Sequence, residues 1–138
     1  MLSRAKRSAI VVTSSALAMY PMSGILPYSM SKSFSSFLAE GLNIELKEKV
    51  DVMSFQPGEV QTKLLGDRKT AVTVQQASKG CLRDLGTTDL TYGAFTHDKQ
   101  MRMTPRFFLP VFQRILFRYS AQGLKNYRER IIKDNKVE

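Results

Sequence analysis

Ala9-Ile10-Val11-Val12-Thr13-Ser14-Ser15 and Val50-Asp51-Val52-Met53-Ser54-Phe55-Gln56-Pro57-Gly58 are two short apolar runs, each ending abruptly in turn-forming residues. Their length and β-branched content suit strands, the first over Ala9 to Thr13 and running into a Ser, Pro and Gly loop. Between them Met30, Phe34, Phe37, Leu38, Leu42 and Leu46 recur at three- and four-residue steps, from Tyr28 to about Lys49. That period is helical, and Pro27 sits where such a helix begins. Strand, helix and strand make one right-handed βαβ unit, so the two strands are expected parallel with the helix packed on one face. Ligands of such sheets bind outside the carboxyl ends of the strands, here Ser14-Ser15 and Pro57-Gly58.

Tyr28 and Lys32 fall four residues apart near the start of that helix, so they share a face. The spacing alone is weak. Five Tyr and eleven Lys in 138 positions give about 0.4 such pairs by chance. Its weight comes from convergence: Ser15 precedes Tyr28 by 13 positions at the end of one strand, and Pro57-Gly58 closes the next. Ser14 is the neighbouring candidate for the same role, and Pro57-Gly58 by itself reads as a turn.

The remaining composition narrows the function classes. The chain has 138 residues, 43% apolar and 24% charged, which excludes collagen, coiled coil and wholesale disorder. One cysteine, Cys81, makes no intramolecular disulfide and too few ligands for a thiolate zinc site, and it suits a reducing compartment. The only histidine, His97, lies in the loop-like run Tyr92-Gly93-Ala94-Phe95-Thr96-His97-Asp98 and reads as an ordinary surface or packing residue. With no Gly-x-Ser-x-Gly elbow, a serine hydrolase is set aside. At the amino terminus, Arg4, Lys6 and Arg7 before an apolar run imitate a presequence. The apolar core is too weak for a secretory signal, and Pro21, Gly24 and Pro27 interrupt any spanning helix. A mitochondrial presequence is the alternative to the buried strand.

Taken together, Ile10-Val11-Val12-Thr13-Ser14-Ser15, Tyr28-Ser29-Met30-Ser31-Lys32 and Pro57-Gly58-Glu59-Val60-Gln61-Thr62 resemble the catalytic half of a short-chain dehydrogenase/reductase, over residues 9 to 65. More loosely, Ala77 to Leu85, Gly86, Tyr92-Gly93, His97 and the basic aromatic tail are similar to the very-long-chain 3-oxoacyl-CoA reductases and related 17β-hydroxysteroid dehydrogenases. The resemblance implies an α/β fold, the C-terminal half of a Rossmann-like doubly wound parallel sheet. It implies Tyr28 as the general acid protonating a carbonyl oxygen. A free phenol is too weak an acid to be a ready base at neutral pH. Lys32 would supply the cation that favours phenolate and would bond the nicotinamide ribose. Ser15 would hold the carbonyl oxygen. Pro57, Gly58, Val60 and Thr62 would line the nicotinamide and diphosphate side of NADP(H) or NAD(H).

The family also uses a Gly-rich phosphate loop, a selector for the adenosine ribose, an Asn-Ala-Gly signal and a catalytic Asn, and this sequence has none of them. Its eight glycines contain no Gly-x-Gly pair. The expectation is a truncated, split or degenerate chain whose first strand lacks its inner neighbour. Alone, it is expected to be marginally stable or self-associating and to bind NADP(H) poorly. The alternative from another class is a non-catalytic remnant or interaction module.

The net charge of +9 is uneven. Residues 99–138 hold ten basic and three acidic residues (+7), against eleven and nine (+2) in residues 1–98. We therefore divide the chain into 1–98, a partial Rossmann-like catalytic domain, and 99–138, a basic amphipathic helical extension. Phe108, Val111, Phe112, Ile115, Leu116 and Tyr119 form its apolar stripe, with Arg114 and Arg118 off it and Lys125, Arg128, Arg130, Lys133 and Lys136 beyond. A helix over 104–133 suits an anionic membrane surface or packing on the body. With no binding module around the charge, nucleic acid is not the expected partner. By resemblance the substrate is a long-chain acyl-CoA or steroid-like carbonyl, near the apolar Leu64-Leu65, and the location is the endoplasmic reticulum membrane, with cytoplasm or mitochondrion as alternatives.

Overall fold

The computed structural model describes residues 8–22, 24–63 and 71–103, with Ile115, Arg118, Ala121, Gln122, Lys125, Glu129 and Ile132 in the tail. In chain order these form β1 (Ser8–Thr13), a 3-10 turn (Ala16–Met19), α1 (Leu26–Leu46), β2 (Val50–Phe55), α2 (Val74–Asp84) and β3 (Leu90–Thr91). Residues 95–103 are also helical, so the division at 98 falls within a helical stretch. Among the described residues the strands make one sheet in the order β1-β2-β3, parallel throughout. Ser8 pairs with Val50 and Thr13 with Phe55, while Phe55 also faces Thr91. This is an α/β architecture of the partial Rossmann-like kind.

β2 is the centre of the core, with Val52, Met53 and Ser54 buried. Among the described residues β1 pairs with β2 alone, and Ala9, Val11 and Thr13 on one of its faces are exposed.

α1 lies where the periodicity places it, ending at Leu46 and not Lys49. Its apolar stripe, however, faces outward: Met30, Phe34, Phe37 and Leu38 are exposed, Phe34 at 69% and Phe37 at 79%. The residues it buries are Ser29, Ser36 and Ala39. The cause is a buried polar network beneath the helix. Ser36 donates to Ser14 Oγ at 2.8 Å, Ser14 donates to the Lys32 carbonyl at 2.6 Å, and the Gln56 amide donates to Ser36 and Ser54 at 3.0 and 3.2 Å. Small side chains let the helix sit close to the sheet, and buried hydroxyls need such partners.

α2 starts on a capping box, in which the Thr73 hydroxyl accepts from Gln76 N–H and the Gln76 carboxamide accepts from Thr73 N–H. It packs so tightly on the chain after β3 that a Cβ at Gly80 would fall 1.7 Å from the Gly93 carbonyl oxygen. Gly93 itself has φ of +76°, open to glycine at little cost. Asp84, at the end of α2, accepts from the Thr91 hydroxyl and ties the helix to β3.

Ile115, Arg118 and Lys125 of the tail are helical and exposed. Phe108, Val111, Phe112, Arg114, Leu116, Tyr119, Arg128, Arg130, Lys133 and Lys136 lie outside the described residues, as do Leu64-Leu65 and Arg4, Lys6 and Arg7. Among the described residues no helix is long and apolar enough to cross a membrane.

Candidate active site

The carboxyl ends of the strands are stitched into one edge by their main chains. Ser14 N–H donates to the Phe55 carbonyl at 2.7 Å, Ala16 N–H to Pro57 at 3.0 Å and Gln56 N–H to Thr91 at 2.8 Å. Segments 14–16, 56–58 and 91–93 therefore lie side by side.

Lys32, one turn into α1 from Tyr28, reaches this edge. Its Nζ donates to the Thr13 carbonyl at 3.4 Å, at the end of β1, and stands 5.7 Å from the Tyr28 ring centroid. A cation at that distance from an aromatic face is held by the ring quadrupole. Tyr28 is 42% exposed, so its phenol is open to a ligand. Ser15 follows two residues after Thr13 and is buried; its Oγ accepts from Leu17 N–H at 3.2 Å and caps the 3-10 turn. With an acceptor site so used, its O–H is what it has to offer a carbonyl oxygen. Ser14 differs, because its hydroxyl is committed to the network under α1. The geometry favours Ser15.

Pro57 and Gly58 are on the same edge, Pro57 through its bond to Ala16. Val60 leads away from it into a parallel bridge with Val72, where Gln61 N–H donates to Val72 at 2.8 Å and Val72 N–H to Glu59 at 3.0 Å. Thr62 is exposed beyond that bridge. The structure thus brings Ser15, Tyr28, Lys32, Pro57 and Gly58 to one edge and leaves Val60 and Thr62 on its flank. A pocket of about 220 Å³ between the 3-10 turn and α1, lined by Met19, Ser36, Phe37 and Gln56 among others, includes none of these seven residues.

Of the two readings of His97, surface or packing residue, the structure gives the packing one, within helical residues 95–103 and not in a loop. His97 is 5% exposed, and its Nδ1 accepts from Gly58 N–H at 3.2 Å. Burial pushes its imidazole below the usual histidine range, against the opposing pull of main-chain bonds with Tyr92 and Glu59 and of the Glu59 charge. Cys81 is buried, and burial, then the nearby Asp84 charge, raises its thiol, so it is no reactive nucleophile. Among the described residues no cluster of three or more His, Cys, Asp or Glu offers a metal site.

The sequence model of the short-chain dehydrogenase family matches residues 1–73, more than half of the chain and all of the edge built by β1, α1 and β2. The chain belongs to the short-chain dehydrogenase family. Solved structures agree on the fold. A short-chain dehydrogenase from Burkholderia cenocepacia, in complex with NADP, superposes with a TM-score of 0.65 at 23% identity, over 78% of this chain and 47% of its own. A 7β-hydroxysteroid dehydrogenase superposes at 0.63 and 18% identity, over 82% and 46%. A short-chain dehydrogenase from Sphingobium yanoikuyae, in complex with NADPH, gives 0.51 at 26% identity, over 55% and 33%. The chain therefore spans less than half the length of these structures. No curated protein matches it.

Proposed function

We propose that this chain carries the carbonyl-reducing part of an NADP(H)-dependent short-chain oxidoreductase, within residues 1–98, with residues 99–138 as an extension. The observation that carries this reading is Lys32 Nζ, held between the Thr13 carbonyl and the Tyr28 ring on the edge that also holds Ser15 and Pro57.

The residues fit one end of the cofactor. An exposed phenol beside a lysine at the strand ends suits a nicotinamide and its ribose, which Tyr28, Lys32, Pro57, Gly58, Val60 and Thr62 would hold. The diphosphate and adenosine end normally rests on a Gly-rich turn, and no Gly-x-Gly occurs in this sequence. NADP and NADPH are the nucleotides bound in the Burkholderia and Sphingobium structures, which favours NADP(H) over NAD(H).

When bound, the reduced nicotinamide supplies hydride to the carbonyl carbon. Ser15 donates its hydroxyl hydrogen bond to the carbonyl oxygen and orients it. Tyr28 Oη delivers the proton to that oxygen as negative charge grows there, completing the alcohol. Lys32 Nζ, anchored by Thr13, keeps a positive charge beside the phenol that must lose the proton.

Ile25 and Leu26, three and two positions before Tyr28, are exposed, which supports an apolar carbonyl substrate such as a long-chain 3-oxoacyl-CoA or a steroid-like ketone. The basic tail, with Arg118 and Lys125 exposed, is suited to acyl-CoA phosphates or an anionic membrane such as that of the endoplasmic reticulum. The test is NADPH consumption by this chain supplied with a Gly-rich nucleotide-binding half, on a 3-oxoacyl-CoA and on a steroid ketone. No consumption with either, in a folded complex that binds NADPH, contradicts the reading.

A further inference from the structure

His97 lies 39 positions from its hydrogen-bond partner in sequence, yet it is buried against the candidate functional edge. Its ring packs closely against Gly58. A Cβ at Gly58 would stand 2.9 Å from His97 Cδ2 and 3.0 Å from Nε2, so glycine at 58 is the condition for this contact. Because Nδ1 accepts the Gly58 amide, the neutral ring carries its proton on Nε2. The other side of the same turn is held by Ala16 N–H on the Pro57 carbonyl. His97, Gly58, Pro57 and Ala16 therefore form a continuous path ending next to Ser15.

We propose that His97 is a positioning residue for the active-site edge, its Nδ1 fixing the Pro57-Gly58 turn so that Pro57 holds the Ser15-Ala16 backbone in place. The proposal rests on the reductase reading given above for its functional meaning, but its geometry stands without it. His97 sits within helical residues 95–103, shortly after Gly93, which packs against Gly80 of α2 and against Phe55 at the end of β2, so the ring is one of the contacts by which the segment after β3 meets the edge. Protonation of Nδ1 removes the acceptor. The charged group that bears on the ring is the Glu59 carboxylate, on the turn itself; Tyr92 bears on it through its main chain.

The test uses the whole chain, labelled with ¹⁵N, and amide hydrogen exchange. In His97→Leu the Gly58 and Ala16 amides are expected to exchange about tenfold faster than in the wild type, while those of β2 stay protected. In His97→Asn, whose Oδ1 stands near the Nδ1 position, both are expected to return to within about threefold of the wild type. Unchanged Gly58 exchange in a folded Leu variant overturns the proposal. Loosening confined to Gly58, with Ala16 unaffected, overturns it too, since the ring then braces only the turn. Should His97→Leu not fold, the wild-type titration decides: the Gly58 and Ala16 amide shifts must follow the imidazole midpoint, and independence from it refutes the clamp. Tyr28→Phe leaves both amides unchanged, so failure of the catalytic reading registers separately, in turnover alone.

Discussion

Gly80→Ala sets local helix propensity against tertiary packing, with opposite signs. In an exposed helix the substitution stabilises by about 1 kcal/mol, because alanine loses less backbone entropy. At Gly80 the new Cβ would stand 1.7 Å from the Gly93 carbonyl oxygen and 2.3 Å from its carbon, where real contacts are essentially never under 3.0 Å. Both partners are backbone, so α2 and the chain at Gly93 must part by at least 1.3 Å, the difference between 3.0 and 1.7 Å. Ala77, Cys81, Tyr92 and Ala94 are buried around that contact and lose packing together. Overpacking of this kind costs about 3 kcal/mol, so after the helix gain the net loss is about 2 kcal/mol. For a chain of this size that lowers Tm by about 8 °C. Gly41→Ala is the internal control: it lies in α1 with nothing within 4 Å of its Cβ, and is expected to stabilise by about 0.5–1 kcal/mol. Urea and thermal unfolding of both variants provide the assay. If Gly80→Ala is as stable as the wild type, or gains as Gly41→Ala does, the packing argument fails.

Three further outcomes follow from other parts of the molecule. The Arg83 hydrogen bond, aided by Thr91, holds the Asp84 carboxyl below its usual range. A depressed carboxylate contributes stability that is present above the unfolded pKa of about 4 and is lost as pH falls through the folded value; Asp84→Ala is therefore expected to cost about 1 kcal/mol at pH 7 and to converge with the wild type near pH 2, and a gap that persists in acid contradicts this. The exposed stripe of Met30, Phe34 and Phe37 predicts self-association, so light scattering should give a mass above 15.6 kDa for the wild type and a monomer for Phe34→Lys/Phe37→Lys, whereas a monomeric wild type refutes it. A 104–138 peptide should float with vesicles containing anionic lipid and not with neutral ones, and no lipid-dependent shift removes the membrane reading.

The strands and α1 were legible because each announces itself locally: β-branched runs for β1 and β2, a three-and-four step for α1. The orientation of α1 was not legible. Periodicity identifies an apolar side but not what covers it, and here the side facing the sheet is Ser29, Ser36 and Ala39, of which Ser36 is hydrogen-bonded to Ser14 and Gln56 from distant positions. α2 carries a local signal in the sequence, the Thr73 and Gln76 capping pair. The two-residue β3 is too short to show a pattern. Of the candidate site, Tyr28, Lys32 and Ser15 could be nominated from the sequence because their spacing is short and fixed by one helix and one strand end. His97 had no local mark, since its role comes from a partner 39 residues away. The 13-residue spacing to Tyr28 favours Ser15 over Ser14 in the sequence, and the structure adds that the Ser14 hydroxyl is engaged by the buried network whereas Ser15 caps the 3-10 turn.

The central claim is that Tyr28 transfers the proton in carbonyl reduction. Tyr28→Phe removes that proton while leaving the ring beneath Lys32, so in the domain completed with a nucleotide-binding half the account predicts unchanged NADPH binding and a fall in turnover of about 10²–10⁴-fold. Turnover within a few fold of the wild type, from a folded variant that binds NADPH, would contradict it.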